Sequence, residues 1–401
     1  DGDEMNLHIP QTEEARAEAE ILMEVENLIN SSTSGLNVIG CSDDSIAGNY
    51  LLTRNIEMPK AEAIQLLINI GINKPERFMK FKNIVNGSDV FSALLPEDFS
   101  FIGETKTQEK ITIKKGDLIE GFIDKSTIGQ DKGDLIRSLY AEYGEHVGIK
   151  IMGQIFRLGI AVLLKYGFTT RISDTDLPTE IHDKCRDTLY NSERRVTQLI
   201  EQFNKKELEA LPGLTREATV EVKISEVLNK SRNRIGEIIS EIQDENNPTL
   251  IMAQSGAKGN ILNLAMISSS VGQQTVAGKR LESGYKDRTL AIYEKGEKTP
   301  RAKGFIKHGY KEGLDPDEFF LHSITGRDSL MDTALRTPKS GYLYRRLTNA
   351  LQDIKVEYDD TVRDAEANII QFNFGDDGLD VSKTEGGTIN IPRIIKQISG
   401  E

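Results

Sequence analysis

Three groups of side chains in this 401-residue chain are suited to chemistry. At its head stands Asp1-Gly2-Asp3. Hard cations take carboxylate oxygens, and two acids flanking a glycine at a turn can converge on one ion. The same pattern is common in surface turns and in sugar-nucleotide transferases, so by itself it leaves those readings open. The second group is Gly256-Ala257-Lys258-Gly259. A phosphate loop needs GxxxxGK[ST] after a strand, and here Lys258 follows alanine and precedes glycine, so that motif fails. The GxxG loop of a KH domain fits in letters only. What survives is a lysine between two glycines, able to bring a point charge with backbone amides beside it close to an anion. The third is "DTALRTPKSGYLYRRL", residues 332 to 347, where Pro338 and Gly341 interrupt a run of helical composition.

The elements that must position these residues are partly legible. "QTEEARAEAEILMEVENLI" reads as an amphipathic helix with early acids complementing its amino end. A second helix is expected to begin at Pro59, in the first-turn position that suits proline. "ITIKKGDLIEGFIDKSTIG" alternates about Gly116-Asp117, which predicts a small antiparallel sheet. Residues 134 to 167 carry apolar positions at helical spacing and stop at Gly167. Two long helices follow, over roughly 179 to 210 and on to 244, separated by Leu211-Pro212-Gly213. In the first, Ile181, Cys185, Leu189, Val196, Leu199 and Phe203 recur at helical spacing; in the second, Val220, Ile224, Val227, Ile235, Ile238 and Ile242 do. The pair predicts a projecting antiparallel hairpin, either a plain strut or a docking arm.

Asp315-Pro316-Asp317-Glu318 is a strong helix start, with a capping aspartate, proline in the first turn and glutamate where a capping box needs it. From there to about Gln352 the composition is helical, but no single apolar stripe runs along it, as in helices that cross open space between domains. An interior proline costs about 3 kcal/mol or more. Propensity therefore favours two helices with a break near Thr337; the alternative is one helix with a bend.

Composition bounds the class. The net charge is −13, hydrophobic residues make up 38% and charged residues 28%, and tryptophan is absent. Such acidity argues against coating nucleic acid with the whole surface, yet from Lys279 to Lys311 ten Lys and Arg face four Asp and Glu. That stretch is either a solvated loop or a phosphate-facing wall. Apolar runs such as Ala161 to Leu164 are far shorter than a membrane span, and no signal peptide opens the chain. Cys41 and Cys185 are too far apart for a metal knuckle. A cytoplasmic location, without membrane contact, is the expectation.

Over nearly its whole length the chain resembles the largest subunit of multisubunit DNA-directed RNA polymerase. "GLDPDEFFLHSITGRDSLMDTALRTPKSGYLYRRLTNALQD" is similar to that family's bridge helix, and "SGAKGNILNLAMISSSVGQQTVAGKR" to the funnel segment before it. "DGDEMN" resembles the end of the NADFDGD motif, while "GFIDKSTIG" and "GFTTRISD" fall where the pore and funnel would be. "EMNLHIPQTEEARAEA" is closer to the archaeal and eukaryotic pattern, and the chain ends after "NIIQFNFGDDGLD", near where archaeal polymerases divide the subunit. The resemblance therefore identifies the carboxyl-terminal portion of an archaeal A′ subunit. Three departures stand out: the first aspartate of the triad lies before Asp1, "NSSTSGLNVIG" replaces a Pro-Arg-rich segment, and Pro338 replaces a small residue.

The resemblance implies a mixed α+β, predominantly helical, multi-lobed fragment. Its regions would be 1–35, the end of the active site and a following helix; 36–178, the pore; 179–313, the funnel and rim with its hairpin; 314–352, the bridge helix; and 353–401, a cleft-side segment. It implies Mg2+ as cofactor, with Asp1 and Asp3 as two of three ligands, and Lys258 near the nucleotide's phosphates. Thr333, Ala334 and Thr337 would lie beside the templating base, with Tyr342 stacking near downstream template and Arg345 and Arg346 meeting backbone phosphate. Gln273 and Gln274 would support the bridge helix by amide hydrogen bonds, or be satisfied packing residues. Pro338 and Gly341 would form a hinge. Implied partners are the remaining polymerase subunits, including the second-largest and the carboxyl-terminal part of the largest, template DNA, nascent RNA, nucleoside triphosphates and a transcript-cleavage factor at the rim. The competing class is a noncatalytic scaffold acting through the hairpin.

Overall fold

The computed structural model describes residues 2–241, 246–282, 284–384, 386–389, 391, 394 and 395. Asp1 lies outside them. The chain forms two compact units, one from residues up to Thr169 with Ile251–Gly259 and residues from Asn373, the other from Thr170–Leu250 and Asn260–Phe372. Both are mixed α+β, with helices outweighing small antiparallel sheets among the described residues.

The first unit holds α1 (Glu13–Glu18), α2 (Asp44–Asn55), β1 (Glu57–Pro59), α3 (Lys60–Asn69), α4 (Pro75–Met79), β2 (Ile84–Asn86), α5 (Gly87–Ser92), β3 (Phe101–Glu104), β4 (Lys110–Lys114), β5 (Asp117–Glu120), α6 (Lys125–Ile128), α7 (Asp134–Tyr143) and α8 (Glu145–Tyr166). Its core gathers Leu52, Leu67, Phe91, Leu94, Phe99, Ile111, Ile113, Leu139, Ile155 and Leu158. Burying each such side chain contributes roughly 1.5–3 kcal/mol. The expected sheet is present in the order β3-β4-β5. Its second hairpin turns at Lys115 and Gly116, with φ of 52° and 72°, the paired positive values of a two-residue turn.

Helix α2, which sequence periodicity did not reveal, crosses α8 at a pair of glycines. A Cβ on Gly48 would lie 2.0 Å from the Gly159 carbonyl oxygen, and one on Gly159 would lie 2.2 Å from that of Ser45. Between them the buried Asn49 amide donates to Ser45 O at 2.7 Å and to Ile155 O at 2.9 Å, tying the two backbones together.

Several expectations need correction here. The helix over 134–167 is two helices, broken where Gly144 takes φ 80°, although its end at Gly167 stands. Pro59 is the residue before α3 and not inside its first turn. The amphipathic amino-terminal helix is only α1, followed by a π turn at Ala19–Met23 and a 3-10 turn at Val25–Leu28. The apolar residues that follow it, Ile21, Leu22 and Met23, are exposed, so none of the described residues supplies the packing that steadies a short helix. By length and composition α8 is apolar enough to cross a membrane, contrary to the reading of short runs. Ile151, Ile155, Leu158 and Val162 instead enter the core.

In the second unit α9 (Thr179–Asn204) and α10 (Arg216–Ser240) form the expected antiparallel hairpin. Cys185, Leu189, Val196 and Leu199 meet Val220, Ile224 and Leu228. Ile242, assigned to the same stripe, lies outside the described residues. The hairpin is not free-standing. After α11 (Pro248–Ser255), whose residues from Ile251 belong to the first unit, α12 (Ile261–Ser268) and β6 (Gly272–Gln273) pack on α10, and Leu264 and Phe305 share its core. The short strands β7 (Thr275–Val276), β8 (Lys279–Arg280) and β9 (Phe305–Ile306) lead to α13 (Pro316–Leu351), and β10 (Lys355–Val356), β11 (Val362–Arg363) and β12 (Ile369–Gln371) close the unit.

Helix α13 runs unbroken for 36 residues with Pro338 inside it, which overturns the break expected near Thr337. The missing Pro338 N–H withholds its bond from the Ala334 carbonyl, and the Thr333 and Thr337 hydroxyls bond back to Ser329 O and Thr333 O at 3.0 and 2.9 Å. Every residue from Gly326 to Asp353 is exposed, so water can meet the orphaned carbonyl. The proline therefore weakens the helix without ending it.

Candidate nucleotide and nucleic-acid site

The first unit carries two of the chemical groups. Asp3 is exposed beside Gly2, which takes φ +95° with no atom within 4 Å of a Cβ position. Its carboxylate suits a hard cation; Asp1, the second proposed ligand, lies outside the described residues. Lys258 sits in a turn bounded by Gly256 and Gly259, with φ of +75° and +69°. A Cβ on Gly256 would strike the Lys125 side chain at 2.8 Å, and Lys106 Nζ donates to Ala253 O at 2.8 Å, so two further lysines stand beside the loop. Lys258 Nζ lies 3.4 Å from Asp43 Oδ1, with both side chains mostly exposed, a pair too solvated to consume its charge. Asp43 itself holds φ 44°, an uncommon backbone state at the start of α2.

Cys41 and Cys185 are buried and free, and burial pushes the Cys41 thiol up to about 12, so both act as small apolar residues.

In the second unit the site is the anchored start of α13. Glu318, 2% exposed, accepts from Lys307 N at 3.0 Å, His308 Nδ1 at 2.8 Å and Asp315 N at 3.2 Å, the last being one arm of the expected capping box. Arg301 clasps Asp317 at 2.7 Å and Asp315 at 2.8 Å, and Tyr293 OH donates to Asp317 at 2.6 Å. The Arg301 guanidinium holds the Asp317 carboxyl well below the usual carboxylate range. His308, Asp315 and Glu318 could gather about one cation, but their oxygens are already taken up by these N–H donors.

The hydrogen bond to Glu318 raises the His308 pKa above the ordinary 6.5. A histidine raised on folding contributes stability that is full below 6.5 and is lost as pH rises through its higher folded value. Stability against thermal unfolding should accordingly fall over that window by on the order of 1 kcal/mol. His308→Gln should flatten this part of the pH profile; an identical slope in the variant would remove the pair from the anchor.

Gln274 reaches α13 directly, its Oε1 accepting from His322 Nδ1 at 3.0 Å. Gln273 does not bond to the helix. Its amide donates to Gln274 O and Lys303 O, both at 2.8 Å, and accepts from Arg280. The basic stretch 279–311 proves to be neither a plain loop nor a bare cationic wall. Arg280 and Lys298 pair with Glu221, Arg301 with Asp315 and Asp317, Lys307 with Glu193, and Lys311 with Asp176. Further along α13, Thr333, Ala334, Thr337, Pro338, Gly341, Tyr342, Arg345 and Arg346 are all exposed, and the Arg346 guanidinium lies 5.2 Å from the Tyr342 ring centroid. His322 and Tyr310 were not singled out from sequence. No local pattern marks them, since the bonds they make span 48 and 12 residues.

Four segments match, in chain order, RNA polymerase Rpb1: residues 1–25 its domain 2, 28–175 domain 3, 200–306 domain 4 and 313–398 domain 5. The chain is 40% identical over 432 residues to the DNA-directed RNA polymerase subunit Rpo1N of Thermococcus celer, covering 98% of this chain and 48% of that protein. It is 41% identical over 417 residues to the protein of the same name in Methanocaldococcus jannaschii, covering 99% and 31%. To the DNA-directed RNA polymerase III subunit RPC1 of Saccharomyces cerevisiae it is 36% identical over 416 residues, covering 96% and 28%. The chain thus spans less than half the length of these relatives. The archaeal relatives carry the name Rpo1N, which places the match in the N-terminal portion of the subunit and corrects the carboxyl-terminal assignment.

Proposed function

The chain belongs to the RNA polymerase Rpb1 family, matching its domains 2 to 5, and on that premise we propose that it supplies the active-site end, the funnel and the bridge helix of a DNA-directed RNA polymerase. One observation carries this reading: a 36-residue helix, anchored by several ion pairs at its start, is exposed at every residue from Gly326 onward, the small Thr333, Ala334 and Thr337 as well as apolar residues such as Leu335 and Leu343. Such a rod is suited to crossing a cleft where another molecule approaches closely.

In the proposed reaction the RNA 3′ hydroxyl loses its proton to solvent and attacks the α-phosphate of a nucleoside triphosphate, forming a phosphodiester as the α–β bond breaks and pyrophosphate leaves. Magnesium, when bound, would stabilise the attacking and leaving oxygens. Asp3, with Asp1, would hold it, and the carboxylate chemistry and exposure of Asp3 fit that task. Lys258 offers its ammonium to the triphosphate from a turn beside Lys106 and Lys125. Thr333, Ala334 and Thr337 let the templating base approach α13. Tyr342 and Arg346 already stack on each other, so they would meet template as a unit, with Arg345 toward phosphate. The remaining polymerase subunits, template, transcript and nucleotides are the partners this reading requires.

Reconstitution with the remaining subunits tests it. Magnesium-dependent, template-directed extension of an RNA primer is expected. A complex that assembles but makes no RNA would leave the noncatalytic reading, in which α9 and α10 serve as a docking arm for a factor.

Pro338 gives a second test. Alanine there restores the bond to the Ala334 carbonyl and removes a penalty of about 3 kcal/mol against a straight helix. If bending of α13 accompanies the one-base advance of the nucleic acid, Pro338→Ala should change the rate of successive nucleotide additions severalfold in rapid-quench measurements. Unaltered rates and pausing would rule out the hinge.

A further inference from the structure

Resting on that polymerase reading, we propose that His322 is a positioning residue: held at both ring nitrogens, it fixes the rotation of α13 and so where the helix's small-residue face points. His322 Nδ1 lies 3.0 Å from Gln274 Oε1, and Nε2 lies 3.1 Å from the Tyr310 hydroxyl. The Tyr310 and His322 rings are 5.7 Å apart between centroids, so the imidazole is gripped by packing as well.

The direction of the bond to Gln274 is determined by its surroundings. Gln274 Nε2 donates to Gly272 O at 3.4 Å, which turns Oε1 toward the imidazole. Nδ1 then donates to Gln274, and the Tyr310 hydroxyl, able to donate or accept, completes the hold at Nε2. Gln274 is itself fixed, because its backbone N–H donates to Gly304 O at 2.8 Å and its carbonyl accepts from Gln273 at 2.8 Å. Gln273 in turn bonds Lys303 O. On the other side Tyr310 N donates to Met266 O at 3.1 Å, at the end of α12. Two separate segments of the unit thus grip one ring on the second turn of α13.

The azimuth of that ring matters because of what lies in line with it. An α-helix advances about 100° per residue, so Ser329 and Thr333 lie within about 20° of His322 and Ser340 almost in line with it. Gly326 and Thr337 fall within about 40° and 60°. Of the residues that the proposed function sets beside the templating base, Thr333 and Thr337 share this side of the helix and Ala334 lies about 120° round from His322, so a rotation let go at the clamp turns all three away together. Among the described residues none buries α13 from Gly326 to Leu351, so the anchored turns are where the rotation is set. The ion pairs of Asp315, Asp317 and Glu318 hold the helix end, and His322 adds a point of grip one turn later.

The test uses the assembled polymerase with a primed template under single-turnover conditions. His322→Leu and Gln274→Leu should each slow nucleotide addition on the order of 10-fold, as a small misplacement of a reacting group does. The KM for the nucleotide and the fraction of active complex should stay near wild type, whereas a purely structural defect would lower the active fraction and spare the rate. The double variant should be no slower than the slower single one, because one clamp is broken only once. His322→Asn, which keeps an N–H toward Gln274, should recover most of the rate. Unchanged rate constants, additive losses, or a loss confined to the active fraction would each overturn the clamp. Should His322→Leu fail to assemble, Tyr310→Phe combined with Gln274→Leu gives the same cycle through the native imidazole. Non-additive losses there support the clamp and additive ones overturn it. A wild-type complex that makes no RNA would instead defeat the polymerase reading beneath it.

Discussion

A polymerase assembled with Asp3→Asn should add nucleotides slower by on the order of 10²–10³, the usual cost of removing one group that stabilises charge in a transition state. The substitution keeps the size of the side chain and removes only its charge. Any loss is therefore electrostatic, and it should diminish as magnesium is raised, because a weakened cation site fills at higher concentration. Glu4→Gln, one residue on and equally exposed, is the matched control and should leave both rate and magnesium dependence unaltered. The measurement is the single-nucleotide addition rate as a function of magnesium. An Asp3→Asn enzyme with the wild-type curve would take Asp3 out of the ligand set.

The second large effect is on stability. Gly159→Val would drive a branched side chain into the Ser45 carbonyl, which already lies 2.2 Å from where a Cβ would sit. The neighbour is backbone in the first turn of α2 and has no rotamer to yield, so α2 and α8 must separate, and the Asn49 bond to Ile155 O breaks with them. Overpacking a core costs about 1–3 kcal/mol where side chains can adjust, and values above about 4 kcal/mol arise when they cannot. The variant should therefore fail to give a cooperative thermal transition and should not enter the complex. Gly153→Ala is the contrast on the same helix, since only the Arg157 guanidinium lies near its Cβ position. A Gly159→Val protein that melts normally would mean the two helices can part at little cost.

Local rules carried the reading where local forces decide the structure. The hairpin of α9 and α10 follows from apolar residues three and four apart, and the start of α13 from Asp315, Pro316 and Glu318. The β4–β5 hairpin follows from its alternation, although its turn is Lys115-Gly116, one residue before the expected Gly116-Asp117, with Asp117 already in β5. Where distant contacts decide, sequence was silent. Helix α2 mixes Ile46, Tyr50 and Leu52 with Gly48 and Asn49, and becomes intelligible only once Gly159 is seen against it. At Pro338 a correct local penalty led to a wrong element, because helix on both sides outweighs one missing bond in an exposed rod. In the basic stretch a count of charges along the chain does not show which cations are paired: Glu221, Glu193 and Asp176 meet Arg280, Lys307 and Lys311 from remote parts of the sequence. Of the candidate site, Asp3, Lys258 and the small residues of α13 stood out as types with suitable chemistry, and of the glutamine pair only Gln274 bonds to α13. Its partner His322 did not stand out, since a histidine gripped from two remote segments leaves no periodic trace.

The crossing of α2 and α8 also bears on how the protein is made. Asn49 waits for Ile155, 106 residues further along, before its amide finds a second acceptor. While the ribosome is still delivering that stretch, Ile46 and Leu52 have no α8 to rest on, and closing so long a loop is slow. A nascent chain halted before Gly159 should accordingly be protease-sensitive through α2 and be held by chaperones that bind apolar segments, and both properties should vanish together once α8 has cleared the exit tunnel.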